Sequence, residues 1–131
     1  MENIFKLEII SPEKVIFSDN VNMVTLPSYE GDMSILKNHI SIITFLRPGT
    51  VKVQKNGQSF SEFFIQDGTV EYFDNNLVIL SASVIDIKNL TKQFIEDLNK
   101  NTQDQLLVKD INDHDRYILN TKLNVLREIR V

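Results

Sequence analysis

Phe5, Leu7 and Ile9 alternate with Lys6 and Glu8, the period-two pattern of a strand with one buried and one wet face. Ser11-Pro12 ends that strand, and Val15 to Phe17 and Val21 to Leu26 read as short strands split by Ser18-Asp19-Asn20. His39 to Leu46 is apolar at nearly every position after Ser41, which predicts a strand covered on both faces. Pro48-Gly49 marks a turn. Val51 and Val53 alternate with Lys52 and Gln54 up to Asn56-Gly57, the strongest short hairpin signal in the chain, and Phe60 to Ile65 supplies the return strand. Asp67-Gly68 and Asp74-Asn75-Asn76 are further turns around strands at Val70 to Phe73 and Leu77 to Ala82. Short strands with turns this frequent indicate a β-sandwich or barrel, and apolar residues on both faces of several strands favour the sandwich.

Near residue 84 the period changes. Ile87, Leu90, Phe94 and Leu98 recur at helical spacing, and the polar run Asn99 to Asp104 reads as a helix end. Asp110 is placed to cap a second helix carrying Ile111, Ile118, Leu119, Leu123, Leu126 and Ile129. From Ile111 to the end that rod would be about 30 Å long. Its start is acidic (Asp113, Asp115) and its end basic (Arg127, Arg130), which suits the helix dipole. The expected fold is therefore an N-terminal β-sandwich of many short strands over 1–84, followed by an antiparallel two-helix hairpin over 85–131. Many Asn, Thr and β-branched residues make the hairpin weak on its own, so its apolar stripe is free to change partners.

Composition narrows the function. The 131 residues are 42% hydrophobic and 24% charged, ordinary for one globular domain or two small ones. The apolar runs are as short as Leu77 to Leu80, so no segment spans a bilayer as a helix and membrane association must go through a partner. The start, MENIFKLEII, lacks the basic-then-apolar layout of a secretory signal, which favours a bacterial cytoplasmic origin, although a processed organellar chain would look alike. Without cysteine there are no disulfides or thiolate metal sites. The net charge of -4, held by residues 1–84 while 85–131 balance, argues against sequence-blind nucleic-acid binding.

Candidate chemistry concentrates between Leu26 and Gly49, a chemically mixed segment of the kind that makes a docking surface. Glu30 and Asp32 flank Gly31 on an acidic turn, better suited to a basic partner than to acid–base work. Met33, Ile35 and Leu36 are either core or part of a mixed docking patch. His39 has no neighbouring nucleophile motif, so an interface role outweighs a catalytic one. Asp113-His114-Asp115 cannot converge on one metal ion, because adjacent helical residues point different ways. No phosphate-binding loop or dinucleotide fingerprint is present. Two other readings stand beside docking: a carbohydrate-type ligand-binding sandwich with a helical dimerisation element, and a small hydrolase using His39 with Glu30 or Asp32.

The ordered set of short motifs resembles one family over essentially the whole chain, the epsilon subunit of F-type ATP synthases (delta in mitochondria). Val15-x-Phe17-Ser18 after Ser11-Pro12-Glu13-Lys14 looks like the family's opening strand and turn. Glu30-Gly31-Asp32 with Ile35-Leu36-x-x-His39 looks like its segment E-G-x-x-G-V-L-P-x-H-x-P, and Thr44-x-Leu46-x-Pro48-Gly49 continues in register. Asp67-Gly68-x-Val70-Glu71 and the strand Leu77 to Ser83 look like the end of its sandwich.

The resemblance implies a non-catalytic rotor subunit, peripheral at the cytoplasmic face of the bacterial inner membrane. It implies that Glu30, Gly31, Asp32 and Met33 meet the membrane ring of c subunits. It implies that His39, Ile40 and Ile42 pack on the gamma subunit, and that the hairpin reaches alpha and beta subunits of the head to restrain hydrolysis. Ser34, Lys37 and Ser41 replace a glycine and two prolines of the motif, which leaves the loop less preorganised. Asn38, where glycine is common, tolerates a left-handed backbone. Some family members bind ATP through I/L-D-x-x-R-A. Here Ile85-Asp86-Ile87-Lys88-Asn89-Leu90 keeps the acid but loses the guanidinium, leaving Asp86 and Arg127 as the residues that could contribute. Weak or no ATP binding is expected, and titration calorimetry of the chain with ATP checks it.

Overall fold

The computed structural model describes residues 3–129. Its contacts divide the chain into two compact units, 1–87 and 88–131.

The first unit is all β: β1 (Phe5–Ile10), β2 (Val15–Val21), β3 (Met23–Ser28), β4 (Gly31–Leu36), β5 (Ile42–Leu46), β6 (Gly49–Lys55), β7 (Gln58–Ile65), β8 (Gly68–Phe73), β9 (Asn76–Leu80) and β10 (Ile85–Asp86). The strands pair in the order β10-β7-β6-β3-β5-β8-β9-β1-β2, with β4 added on β3. All pairs are antiparallel except β1 with β9. The inward positions meet in one apolar cluster, from Leu7 and Ile9 of β1 to Leu77 and Ile79 of β9, with Tyr72 the largest fully buried side chain. This is the expected sandwich.

Its tight turns follow their sequences. Asn56-Gly57 (φ 56° and 75°) and Asp74-Asn75 (φ 49° and 61°) each join strands paired immediately on either side, the geometry of type I′ hairpins. At Gly49 a Cβ would fall 2.5 Å from the Pro27 Cβ, so the crossing of β6 beside β3 requires a residue without one.

Several expectations need correction. Ser18-Asp19-Asn20 is no turn but continues β2 along β1 to the pair Phe5–Val21. As the last strand of the path, β2 can carry polar residues, and Asp19 is held by Lys55 at 2.8 Å. Residues 31–36 form the strand β4, so only Tyr29 and Glu30 remain in the acidic turn. The strand at His39 to Leu46 begins at Ile42 and is covered on one face only. In the hairpin, a single 3-10 turn (Ile87–Asn89) precedes α1 (Lys92–Leu106), which starts at the Thr91 cap and runs through Asn99 to Asp104 instead of ending there. Buried Thr102 donates to the Leu98 carbonyl at 2.6 Å, so the helix satisfies its own polar residue.

The cap of α2 (Asp113–Glu128) is Asn112, whose Oδ1 accepts from the Asp115 amide at 2.7 Å; Asp110 lies in the joint with φ 65°. At 16 residues, α2 is about 24 Å long, shorter than expected. Arg130 lies outside the described residues.

Because the apolar cluster draws only on residues of the first unit, a chain ending at Ile87 is expected to keep its tertiary packing. Retained near-ultraviolet circular dichroism and one cooperative melt check this; a molten state would mean that the hairpin completes the core.

Candidate docking site

On the face of β5, β8 and β9 turned away from the core, large apolar residues lie open. On β8 the core takes Val70 and Tyr72, so alternation turns Thr69, Glu71 and Phe73 outward. Register then sets Phe45 beside Thr69 and Ile43 beside Glu71 on one flank, and Leu80 beside Thr69 and Val78 beside Glu71 on the other. Ile43 is 77% exposed, Phe73 64% and Phe45 60%. Three large side chains this open on adjacent strands form a contiguous patch of the kind that marks an interaction site. Ile42, named from the sequence for this strand, packs partly against the core, and Ile43 and Phe45 are the exposed residues of β5 that the sequence reading did not single out.

At one end of this face, Leu36 to His39 form a turn closed by the His39 amide donating to the Leu36 carbonyl at 3.1 Å. Asn38 takes φ 65°, the left-handed position that a type II turn needs there. A second turn braces the first. The Asn38 amide donates to Asn75 Oδ1 at 2.8 Å, and Asn75 Nδ2 donates to Asn38 Oδ1 at 3.3 Å. The Tyr72 hydroxyl is 2.9 Å from Asn75 Oδ1 and 3.2 Å from the Leu36 carbonyl. Burial raises the Tyr72 phenol above its usual value, so it stays a donor. The His39 ring stands edge-on to Tyr72 at 5.8 Å, with Nδ1 2.8 Å from the Ile40 carbonyl. Ile40 itself is 76% exposed.

The acidic segment lies at the opposite end. Ser28 pairs with Gly31, so Tyr29-Glu30 is a two-residue hairpin loop, and Gly31 has φ 120°. Glu30 and Asp32 are exposed, and Asp32 meets Arg47 at 3.2 Å. Met33 is turned toward the core, where Ile35 is fully buried, while Leu36 is exposed. The length of β4, about 17 Å at ordinary strand rise, separates this tip from the His39 turn. That distance overturns the hydrolase reading, since neither Glu30 nor Asp32 reaches His39. Asp86 sits in β10 opposite Phe63, and Arg127 in the last turn of α2 is 3.4 Å from Asn124 Oδ1; the two belong to different units. Among the described residues no three His, Asp or Glu side chains are grouped to hold a metal.

Residues 4–87 match the family described as ATP synthase, Delta/Epsilon chain, beta-sandwich domain. The ATP synthase epsilon chain of Pelagibacter ubique is 39% identical over 98% of this chain and 99% of its own. That of Parvibaculum lavamentivorans is 30% identical over 94% and 92%. Two solved structures share the fold. A chain of the Euglena gracilis mitochondrial ATP synthase (OSCP/F1/c-ring) has a TM-score of 0.73 at 15% identity, covering 97% of this chain and 79% of its own. A chain of the Tetrahymena thermophila mitochondrial ATP synthase central stalk/c-ring has a TM-score of 0.63 at 16% identity, covering 94% and 93%.

The brace between the turns is testable in the chain by itself. Asn75→Gly keeps the left-handed backbone but removes both side-chain bonds to Asn38. Amide exchange at Asn38 should quicken about five- to tenfold, the loss of roughly one net hydrogen bond, while Leu7 and Ile79 stay protected. Unchanged exchange at Asn38 would show that the turn holds without the brace.

Proposed function

Because the chain belongs to the ATP synthase delta/epsilon family, we propose that it works as a non-catalytic central-stalk subunit of a proton-translocating F-type ATP synthase, coupling the gamma shaft and the c-ring to the catalytic head. The observation that carries this reading is the open apolar face of Ile43, Phe45 and Phe73 on a sandwich matched to the family. A rotor part must transmit torque without deforming, and a hydrogen-bonded sandwich with a continuous core does so better than loops. In this reading gamma packs on the open face, from His39 and Ile40 through Ile42 at the strand start to Ile43 and Phe45. The ring meets the tip, where Glu30 and Asp32 are offered and Gly31 allows the hairpin; Met33 supports the tip from inside.

Force passes between the two ends along paired strands, since Ser28 of β3 pairs with Leu46 of β5. No helix among the described residues is long and apolar enough to cross a membrane, which fits attachment through the ring. The helical unit is the candidate for restraining hydrolysis in the head. With Asn89 in place of an arginine, Asp86 and Arg127 give little or no ATP affinity.

Size-exclusion chromatography with the gamma subunit of the same source tests this. A stable complex is expected, weakened at least about tenfold by Ile43→Asp, a charge placed in a desolvated contact. Reversing Glu30 and Asp32 together should spare gamma binding and weaken ring docking. No complex at micromolar concentration, with both proteins folded, would sink the assignment.

A further inference from the structure

One charge interrupts the open face. Glu71 lies between Ile43 on β5 and Val78 on β9, with Thr69 and Phe73 before and after it on its own strand. Glu71 is exposed, and no described residue gives it a hydrogen bond or an ion pair, unlike Asp32, held by Arg47, and Asp19, held by Lys55. The other charges that strand register places on this face are Glu8 and Lys6 of β1. Register puts Glu8 on the far side of Val78, about 10 Å from Glu71 at ordinary strand spacing, and Lys6 one step along beside Asn76. Among the described residues no ion pair joins Lys6 to Glu8 or to Glu71, and of the two carboxylates Glu71 is the one that stands between Ile43 and Val78 with Phe73 next on the same side of its strand.

A glutamate on a permanently wet sheet face needs no explanation. Here two of its neighbours, Ile43 and Phe73, are apolar side chains more than half exposed, a surface suited to being covered. Covering it strips water from Glu71, and an unpaired carboxylate in an apolar contact is strongly unfavourable. A partner that brings a cation instead gains a charge-assisted hydrogen bond in a low-dielectric setting. We propose that Glu71 is the specificity residue of this face and selects a partner surface that is apolar with one basic side chain aimed at its carboxylate. Arginine suits the place better than lysine, since its planar guanidinium can pair with the carboxylate while lying against the Phe73 ring. The inference rests on the docking reading of the face and adds the chemistry that the partner must carry.

Titration of the gamma subunit with wild type, Glu71→Gln, Glu71→Lys and Ile43→Asp, at several salt concentrations, decides it; thermal melts establish that each variant is folded. Glu71→Gln should weaken binding about tenfold and flatten its salt dependence, and Glu71→Lys should weaken it about a hundredfold, because a desolvated pair loses far more than a rim charge when one partner is removed. Glu71 variants that bind like wild type, while Ile43→Asp is weakened, overturn this inference and leave the docking reading standing. Equal binding by all three variants, or no binding by wild type, overturns the docking reading and this inference with it.

Discussion

A strand commits each side chain to one of two faces, and Tyr72 settles that choice for the middle of this sheet. Its ring is fully buried beside Phe5 at 5.7 Å, and its hydroxyl reaches the two turns at the sheet's end. Once Tyr72 points inward, Val70 does too, and Thr69, Glu71 and Phe73 must point out. The pairs Ile42–Tyr72 and Leu77–Tyr72 carry the same parity to both neighbouring strands, which turns Ile43 and Phe45 outward. The open face is thus the unavoidable counterpart of the core. A one-residue slip would bury Glu71 and expose Tyr72, so register and docking surface are specified by one constraint.

The same residue ties packing to rigidity. The motif that the chain resembles carries prolines where Lys37 and Ser41 stand, and without them the segment before β5 has more conformations to lose. Asn38, Asn75 and Tyr72 form a brace of the opposite kind, made of side-chain hydrogen bonds between turns far apart in sequence. Proline restrains a loop by limiting the unfolded chain; this brace acts only after β8 and β9 have paired. A preorganised end at His39 and Ile40 is then a product of the completed sheet rather than of local sequence.

That difference explains what could be read in advance. Turns were legible because Asn-Gly and Asp-Asn take left-handed geometry through local chemistry, and Asn38 did the same. The parity of β5 was not, since Ile42, Thr44 and Leu46 are as plausible inside as Ile43 and Phe45, and only the pairing with β8 decides. Nor was β4, where the alternation of Asp32 and Ser34 with Met33 and Ile35 lasts only four residues between Gly31 and Leu36. The Glu30 tip was visible from its glycine, but its distance from His39 depends on β4 being extended. The helix limits moved because Thr91 Oγ1 and Asn112 Oδ1 are the oxygens that accept from first-turn amides while Asp110 takes a left-handed backbone in the joint, and because a buried threonine can bond within its own helix.

The two units differ in how much they contain their own stability. The first closes one apolar cluster drawn from nearly every strand. In the second, the fully covered residue of α1 is Thr102, and Asn99 Oδ1 is covered without a described partner. Covered polar groups add little hydrophobic stabilisation, and one left unsatisfied subtracts from it. Leu107 and Val108 at the joint are open to water. Helices of this length are marginal in isolation, and the apolar side chains buried among the described residues of the second unit, Leu90, Leu123 and Leu126, are few beside the cluster of the sandwich. Under the proposed function, a sandwich that grips the shaft and a helical unit that responds would be served by that division.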